Sequence, residues 1–242
     1  MYKPAGLTPL QTLDLLRQKF SEYKDKKLSY AGRLDPLAEG VMLVLVGESN
    51  FSRERYLGLP KVYEAEILLG VSTDTGDVMG LVTEYKLNEE VVLESRVREI
   101  LAELVGIFEQ KYPQFSSPKI AGRRRLEDNT LVSKQVEITR LDFVSLTEIN
   151  GSDLLEKINS RIDKVVGDFR QTDIKSVWDK ILSDRSDQVF SVIKIKVSAS
   201  SGVYVRVLAE KIGRNLGVPA LAYSIKRFSV GDYPIDTALK LE

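Results

Sequence analysis

The sequence predicts an α+β fold. Segments typical of strands and segments of helical period are mixed along the chain, and they follow no strict strand–helix–strand rhythm. The sequence contains no internal repeat. With 43% hydrophobic and 29% charged residues, the chain can bury a substantial core.

The first helix begins at a predicted capping box. Thr8 suits the N-cap, Pro9 the first helical position, and Gln11 can complete the box. Apolar residues then recur at helical spacing up to about Tyr23, before a polar turn at residues 24–27.

Later elements follow from apolar spacing. The continuous run Val41–Val46 predicts a strand buried on both faces, and Val189–Val197 alternates as a half-buried strand does. A helix from Val203 to Asn215 ends before Gly217. The other predicted elements are strands at 63–69 and 132–144, a turn at 74–80, a helix at 91–105, a long loop at 111–129 and two amphipathic helices within 152–182.

Composition excludes several kinds of chemistry. The chain has no cysteine and no histidine, so disulfides, zinc–thiolate sites, thiol nucleophiles and histidine bases are impossible. The formal net charge is zero, so a nucleic-acid partner would need a local basic face. There is no apolar stretch of membrane-spanning length and no signal-peptide pattern, and we therefore expect a cytoplasmic protein.

One segment, Gly32–Gly40, concentrates the chemical interest. Taken alone, Asp35 before Pro36 is typical of a simple turn. The loop nevertheless leads directly into the apolar run, which would hold Asp35 where a loop meets a rigid element.

Further blocks extend this pattern along the chain. In order, the five blocks resemble the motifs of TruB-type pseudouridine synthases. They are Lys3–Thr8; Gly32–Gly40; Lys61–Ala65 with Gly70, Thr73, Thr75, Asp77 and Gly80; Pro113–Lys119 with Gly122; and Ser200–Arg206 with Leu208.

The resemblance implies the pseudouridine synthase fold, with a central mixed, mainly antiparallel sheet flanked by helices. It implies isomerisation of the T-loop uridine at tRNA position 55 by a monomer without metal or cofactor. Asp35 would be the nucleophile, Tyr63 would stack on the flipped base, and Arg206 would pair with Asp35. Leu208 would line the base pocket, and Lys61 would lie near the active site or a substrate phosphate.

The chemistry agrees with these roles. Uridine becomes pseudouridine when the C1′–N1 bond breaks, the uracil turns, and C5 joins C1′; nothing is oxidised. An ionised carboxylate can attack C1′ or assist glycal formation, and the sequence leaves both routes open.

Two local basic clusters could contact RNA phosphates. Residues 119–125 carry four positive charges, including Lys119 and Arg123, and Lys24, Lys26, Lys27 and Arg33 form the second cluster beside the catalytic loop. The alternative for each cluster is a solvated loop.

The segment at about 151–187 departs from the short connection expected in the family. Between residues 152 and 187 it has seven Lys or Arg against eight Asp or Glu, which argues against phosphate binding. We expect a helical insertion in a single catalytic domain spanning 1–242, without the accessory C-terminal RNA-binding domain of many relatives.

Departures from the motifs leave other functions open. Tyr30 stands where the family usually has histidine, Arg33 stands where a small residue or Thr is usual, and Leu126 replaces a common tyrosine. The Tyr30 and Arg33 substitutions make a synthase for another RNA one alternative. A relative that folds tRNA without modifying it is a second alternative, and the presence of Asp35, Tyr63 and Arg206 counts against it.

Asp74-Thr75-Gly76 matches the aspartic-protease tripeptide, but its flanks do not match. Asp74 and Asp77 could also suggest a metal site, but we expect two carboxylates in a turn to be solvated.

Overall fold

The computed structural model describes residues 1–86, 92–113, 115, 119–120, 123–124 and 133–241, with the backbone alone described at 119–120 and 123–124. No helix in these ranges combines the length and apolar character needed to cross a membrane. The predicted loop at 111–129 falls mostly outside them, as do Leu126, Gly122 and part of the Pro113–Lys119 block.

The described ranges contain both element types that the sequence predicts. The α-helices are α1 (Pro9–Lys19), α2 (Arg53–Leu57), α3 (Glu94–Glu103), α4 (Gly151–Asp163), α5 (Gln171–Leu182) and α6 (Val205–Asn215). The strands are β1 (Tyr2–Lys3), β2 (Leu28–Ala31), β3 (Glu39–Val41), β4 (Leu43–Val46), β5 (Lys61–Leu69), β6 (Val71–Thr73), β7 (Val82–Tyr85), β8 (Gly106–Lys111), β9 (Lys119–Ile120), β10 (Arg123–Arg124), β11 (Ser133–Asn150), β12 (Val189–Ala199), β13 (Ala220–Val230) and β14 (Tyr233–Pro234).

The main sheet is mixed and mainly antiparallel. Its order is β1-β3-β13-β5-β12-β11-β8, with β14 paired to β13. Strands β3 and β13 run parallel, whereas the other pairs in this sheet are antiparallel. The predicted α+β class is confirmed.

Helix α1 begins as the sequence predicts. The Thr8 hydroxyl accepts the Gln11 backbone N–H, and the Gln11 side chain accepts the Thr8 N–H at 2.8 Å. This reciprocal capping box satisfies two amides that a helix start leaves unpaired.

The prediction of one strand at Val41–Val46 is wrong. The run breaks at Met42 into β3, which joins the main sheet, and β4, which pairs with β2. Val44 and Val46 are partly exposed, because only alternate side chains of β4 face a small core. An apolar run cannot reveal that the chain passes from one sheet to another.

The main sheet has a hydrophobic core on each face. Along β5, Ile67 and Leu69 face the core beneath α3 and α6, whereas Leu68 faces the core beneath α4 and α5. Successive side chains of a strand point to opposite faces, so the two cores lie on opposite sides of the sheet. The single tryptophan, Trp178 on α5, is fully buried and donates to the Val78 carbonyl at 3.3 Å.

Candidate active site

Asp35 lies in the turn between β2 and β3. The Ala38 amide donates to the Asp35 carbonyl at 3.1 Å, which closes the turn. Leu34 and Ala38 are buried on either side, while 39% of the Asp35 side chain is exposed. The carboxylate is thus held by a fixed loop and remains open to a ligand.

Arg206 lies in the first turn of α6 and contacts this carboxylate. Its Nε is 2.8 Å from Asp35 Oδ2, and its side chain is only 4% exposed. Nε has no hydrogen bond of good geometry among the described residues, so the contact is an ion pair and not an aligned hydrogen bond. Nη1 donates to the Thr75 carbonyl, and Nη2 donates to the Phe115 carbonyl at 3.3 Å.

Asp77 is a second carboxylate on the same guanidinium. Its Oδ2 lies 3.8 Å from Arg206 Nε, and its side chain is 14% exposed. Oδ1 accepts the Thr75 hydroxyl at 2.7 Å and the Met79 amide at 3.0 Å. Our expectation that this turn only carries solvated carboxylates is wrong for Asp77, because the turn folds against α6 and the sheet.

Gly76 permits that close approach. Its φ is +74°, and a Cβ there would lie 2.7 Å from Glu210 Oε1 and 3.2 Å from Arg206 Cβ. The Gly76 carbonyl also accepts the Ala222 amide of β13 at 2.9 Å. The turn is therefore fixed to the sheet on one side and to α6 on the other.

The three charged groups perturb one another. Burial raises the pKa of Asp77 to about 6; Arg206 lowers it, and the Asp35 charge raises it further. Burial lowers the pKa of Arg206, but the charges of Asp35 and Asp77 more than offset this and raise it overall. Two carboxylates thus share one buried guanidinium.

Lys3 supports the loop that carries Asp35, a role the sequence did not predict. It is fully buried, and its Nζ donates to the carbonyls of Pro36 at 3.0 Å, Ala38 at 2.6 Å and Pro4 at 2.9 Å. Burial lowers the pKa of Lys3 to about 7, while the nearby Asp35 charge raises it. The three carbonyls match the three donors of the ammonium form.

Arg227 on β13 holds the other side of the loop and was also missed. It is 1% exposed, and its Nη2 and Nη1 donate to the carbonyls of Gly32 at 3.1 Å and Arg33 at 3.3 Å. Its Nε donates to Val41 at 2.6 Å. An arginine inside a strand gives no local sign of this role, since its acceptors are backbone atoms distant in sequence.

The Gln110 side chain binds the backbone of the loop that precedes α6. Its Nε2 donates to the Gly202 carbonyl at 2.9 Å, and its Oε1 accepts the Tyr204 amide at 2.9 Å. The side chain is 3% exposed. This single buried amide fixes the loop that leads into Arg206.

Tyr63 and Leu208 belong to the apolar cluster beneath the ion pair. Tyr63 is 9% exposed and Leu208 is 2% exposed, and both share this cluster with Leu34 and Ala38, which flank Asp35. The structure therefore places the Asp35–Arg206 ion pair next to the cluster that contains Tyr63 and Leu208.

The other predicted contact residues are more dispersed. Lys61 is buried and donates to the carbonyls of Leu57 at 2.7 Å and of Leu59; burial lowers its pKa to about 8. Tyr30 on β2 is partly exposed, and Arg33 is exposed in the catalytic loop. Lys119 lies in β9 and Arg123 in the paired β10, with side chains outside the described part.

The arrangement suits attack by a carboxylate on an electrophilic carbon. Asp35 is accessible, its charge is paired with a buried guanidinium, and apolar and aromatic side chains lie alongside it. A carboxylate in such a setting can act as an oxygen nucleophile.

Comparison with known proteins assigns the family. The model described as "TruB family pseudouridylate synthase (N terminal domain)" matches residues 18–163, more than half of the chain. The chain belongs to the TruB family.

Individual relatives agree with this assignment. The chain is 29% identical to tRNA pseudouridine synthase B of Bacillus cereus over 247 residues, covering 100% of this chain and 68% of the relative. It is 30% identical to the protein of that name from Pediococcus pentosaceus, covering 90% and 63%, and 29% identical to that of Thermotoga maritima, covering 99% and 64%. The chain thus spans about two thirds of the length of these curated relatives.

Solved structures show the same fold at low identity. A Cbf5-Nop10-Gar1 complex matches with a TM-score of 0.61 at 16% identity, covering 96% of this chain and 48% of the matched chain. An H/ACA RNP bound to a substrate RNA matches with a TM-score of 0.57, covering 96% and 47%. The pseudouridine synthase fold is therefore confirmed.

Proposed function

We propose that this chain is a tRNA pseudouridine synthase that isomerises the T-loop uridine at position 55, acting as a cytoplasmic monomer with Asp35 as its nucleophile. The observation that carries the proposal is the accessible Asp35 carboxylate, 2.8 Å from the buried Arg206 guanidinium. Family membership and the names of the curated relatives support the substrate class.

The target base must first leave its stack, at a cost of a few kcal/mol. Stacking on an aromatic ring recovers about 1–3 kcal/mol per base. Tyr63 supplies that ring, and Leu208 supplies an apolar wall from the same cluster. Arg33 in the catalytic loop and Tyr30 on β2, just before that loop, would contact the surrounding RNA.

Asp35 then assists cleavage of the C1′–N1 bond by one of two routes. It forms an ester at C1′ that C5 later displaces, or it takes the C2′ proton to give a glycal and returns that proton when C5 bonds to C1′. The uracil turns, C5 bonds to C1′, the C5 proton is lost, and N1 gains a proton, so the product is an isomer of the substrate. Arg206 keeps the Asp35 carboxylate oriented throughout, and Asp77 orients Arg206. The reaction is redox-neutral and requires no electron acceptor.

The basic residues around the loop complete the proposed RNA contacts. Lys119 and Arg123 lie in the paired strands β9 and β10 and would bind backbone phosphates of the T-arm. Lys61 is bound to two carbonyls, so we propose that it supports the catalytic loop from within. Its Cε lies 3.8 Å from the position a Cβ would take at Gly32.

The test is single-site detection of pseudouridine in an unmodified tRNA transcript, by carbodiimide treatment and primer extension. We expect a carbodiimide-dependent stop that maps pseudouridine to position 55 with the wild-type protein and none with Asp35→Asn. Asp232→Asn, an exposed aspartate in the β13–β14 turn, is the matched control and should retain activity.

Other outcomes select other functions. Pseudouridine at a different position, or only in another RNA, would transfer the activity to that substrate; Tyr30 and Arg33, which replace usual family residues, make this the main alternative. Tight tRNA binding without isomerisation, equal in wild type and Asp35→Asn, would indicate a folding chaperone.

A further inference from the structure

The segment that joins α4 to α5 lies against the active-site loops. The Val166 amide donates to the Gly6 carbonyl at 3.0 Å, and the Gly6 amide donates to the Pro36 carbonyl at 2.9 Å. The Gln11 side chain donates to the Val166 carbonyl at 3.1 Å. A continuous hydrogen-bonded path therefore runs from the helical segment to the residue after Asp35.

Arg170 ends this segment in an unusual backbone conformation. Its φ is +64°, and it is the only non-glycine residue with positive φ in the described part of the chain. This region is unfavourable for a residue with a Cβ and persists where surrounding contacts impose it. Its side chain makes those contacts.

The guanidinium of Arg170 joins two separate segments. Nη1 lies 3.0 Å from Asp74 Oδ2, and Nη2 lies 3.5 Å from Asp74 Oδ1. The same group lies over the Phe115 ring, 5.3 Å from its centroid. Asp74 is itself fixed to its turn, since Oδ1 accepts the Leu81 amide at 2.8 Å.

These two partners adjoin the two backbone acceptors of Arg206. Arg206 donates to the carbonyl of Thr75, the residue after Asp74, and to the carbonyl of Phe115 itself. Arg170 thereby contacts both of the segments whose carbonyls bind the Arg206 guanidinium. We propose that Arg170 is a positioning residue that sets the orientation of Arg206 towards Asp35, so that the helical segment takes part in catalysis. This inference rests on the proposed function.

A direct RNA contact is the competing explanation, since 38% of the Arg170 side chain is exposed. A phosphate would have to compete with the Asp74 carboxylate for the same fork of donors. The two explanations differ in the kinetic constant they affect. Lost positioning lowers kcat, whereas a lost phosphate contact raises KM.

Three substitutions isolate the contact. Arg170→Gly removes the side chain and tolerates the positive φ. Arg170→Lys keeps the charge without the planar fork. Asp74→Asn removes the partner charge and retains an oxygen for the Leu81 amide. Lys175→Ala is the matched control, because it breaks an ion pair with Asp163 in the same helical segment and touches neither partner of Arg170.

We expect Arg170→Gly and Asp74→Asn each to lower kcat by about ten- to a hundred-fold, with KM changed by less than about three-fold. The double variant should be no slower than the slower single variant, because both remove one interaction. Arg170→Lys should restore part of kcat, and Lys175→Ala should behave as wild type. Circular dichroism identifies variants that fail to fold; if Arg170→Gly is one, Arg170→Lys and Asp74→Asn carry the test.

The nitrogen-bound proton of Arg206 Nε, followed by NMR, reports positioning without any turnover. Its chemical shift and its exchange with water should change in Arg170→Gly and stay constant in Lys175→Ala. Unchanged kcat, a rise in KM alone, or an unchanged Arg206 signal would each overturn the positioning role. If the wild-type protein makes no pseudouridine, the proposed function fails, and the Arg206 signal still decides the inference.

Discussion

Replacing Asp77 by asparagine should stabilise the protein and slow it. Asparagine keeps an oxygen for the Thr75 hydroxyl and the Met79 amide, so the change mainly removes a buried negative charge. Burial raises the pKa of Asp77 from 3.8 to about 6, which means that the folded state disfavours the ionised form.

The pH dependence follows from the direction of that shift. Above pH 6 the ionised carboxylate costs the folded state up to about 3 kcal/mol relative to its neutral form, because two pKa units correspond to about 2.7 kcal/mol. The cost falls to about half at pH 5 and disappears below about pH 4, where the folded and unfolded states are both protonated. The advantage of Asp77→Asn should therefore be largest at pH 8.

Urea denaturation at pH 8 and pH 5, followed by the fluorescence of the single buried Trp178, measures this difference. Asp232→Asn is the exposed control and should show no such pH-dependent gain. Turnover should fall in Asp77→Asn because Arg206 loses a carboxylate that orients it, a trade of activity for stability. A variant no more stable than wild type at pH 8, or a difference equal at both pH values, would refute the reasoning.

Two further predictions concern the fold around the site. Gly40→Ala should lower the free energy of unfolding by more than about 3 kcal/mol, because its Cβ would lie 2.2 Å from the Arg227 carbonyl oxygen where β3 meets β13. Gly47→Ala, which also has positive φ but nothing within 4 Å, should cost only about 1 kcal/mol, and equal losses in urea denaturation would contradict the steric explanation. Trp178→Ala should cost about 3–5 kcal/mol and leave the Val78 carbonyl without its donor; a loss below about 1 kcal/mol by circular dichroism would show that the helical segment is not part of the folding core.

Much of the secondary structure could be predicted from apolar spacing. The capping box at Thr8, the two helices within 152–182 and the strand from Val189 all occur, because each depends on interactions between residues near in sequence. The break at Met42 and the position of β13 between β3 and β5 could not be predicted, since they depend on which strands pair. Pairing partners come from distant parts of the chain and leave no local period.

The motifs around Asp35, Tyr63 and Arg206 made the family resemblance visible in the sequence, because the proposed nucleophile, aromatic platform and cation each require a specific residue type. Because the chain has no cysteine and no histidine, the sequence also excluded thiol nucleophiles and histidine bases. The residues that support the site could not be predicted from the sequence. Asp77 belongs to an ordinary turn in sequence, Lys3, Arg227 and Gln110 act through backbone atoms far along the chain, and Arg170 meets Asp74 and Phe115 only once the helical segment has packed. The burial of Arg206 and its 2.8 Å contact with Asp35 exist only in the folded chain, because they depend on how α6 packs against the loop that carries Asp35.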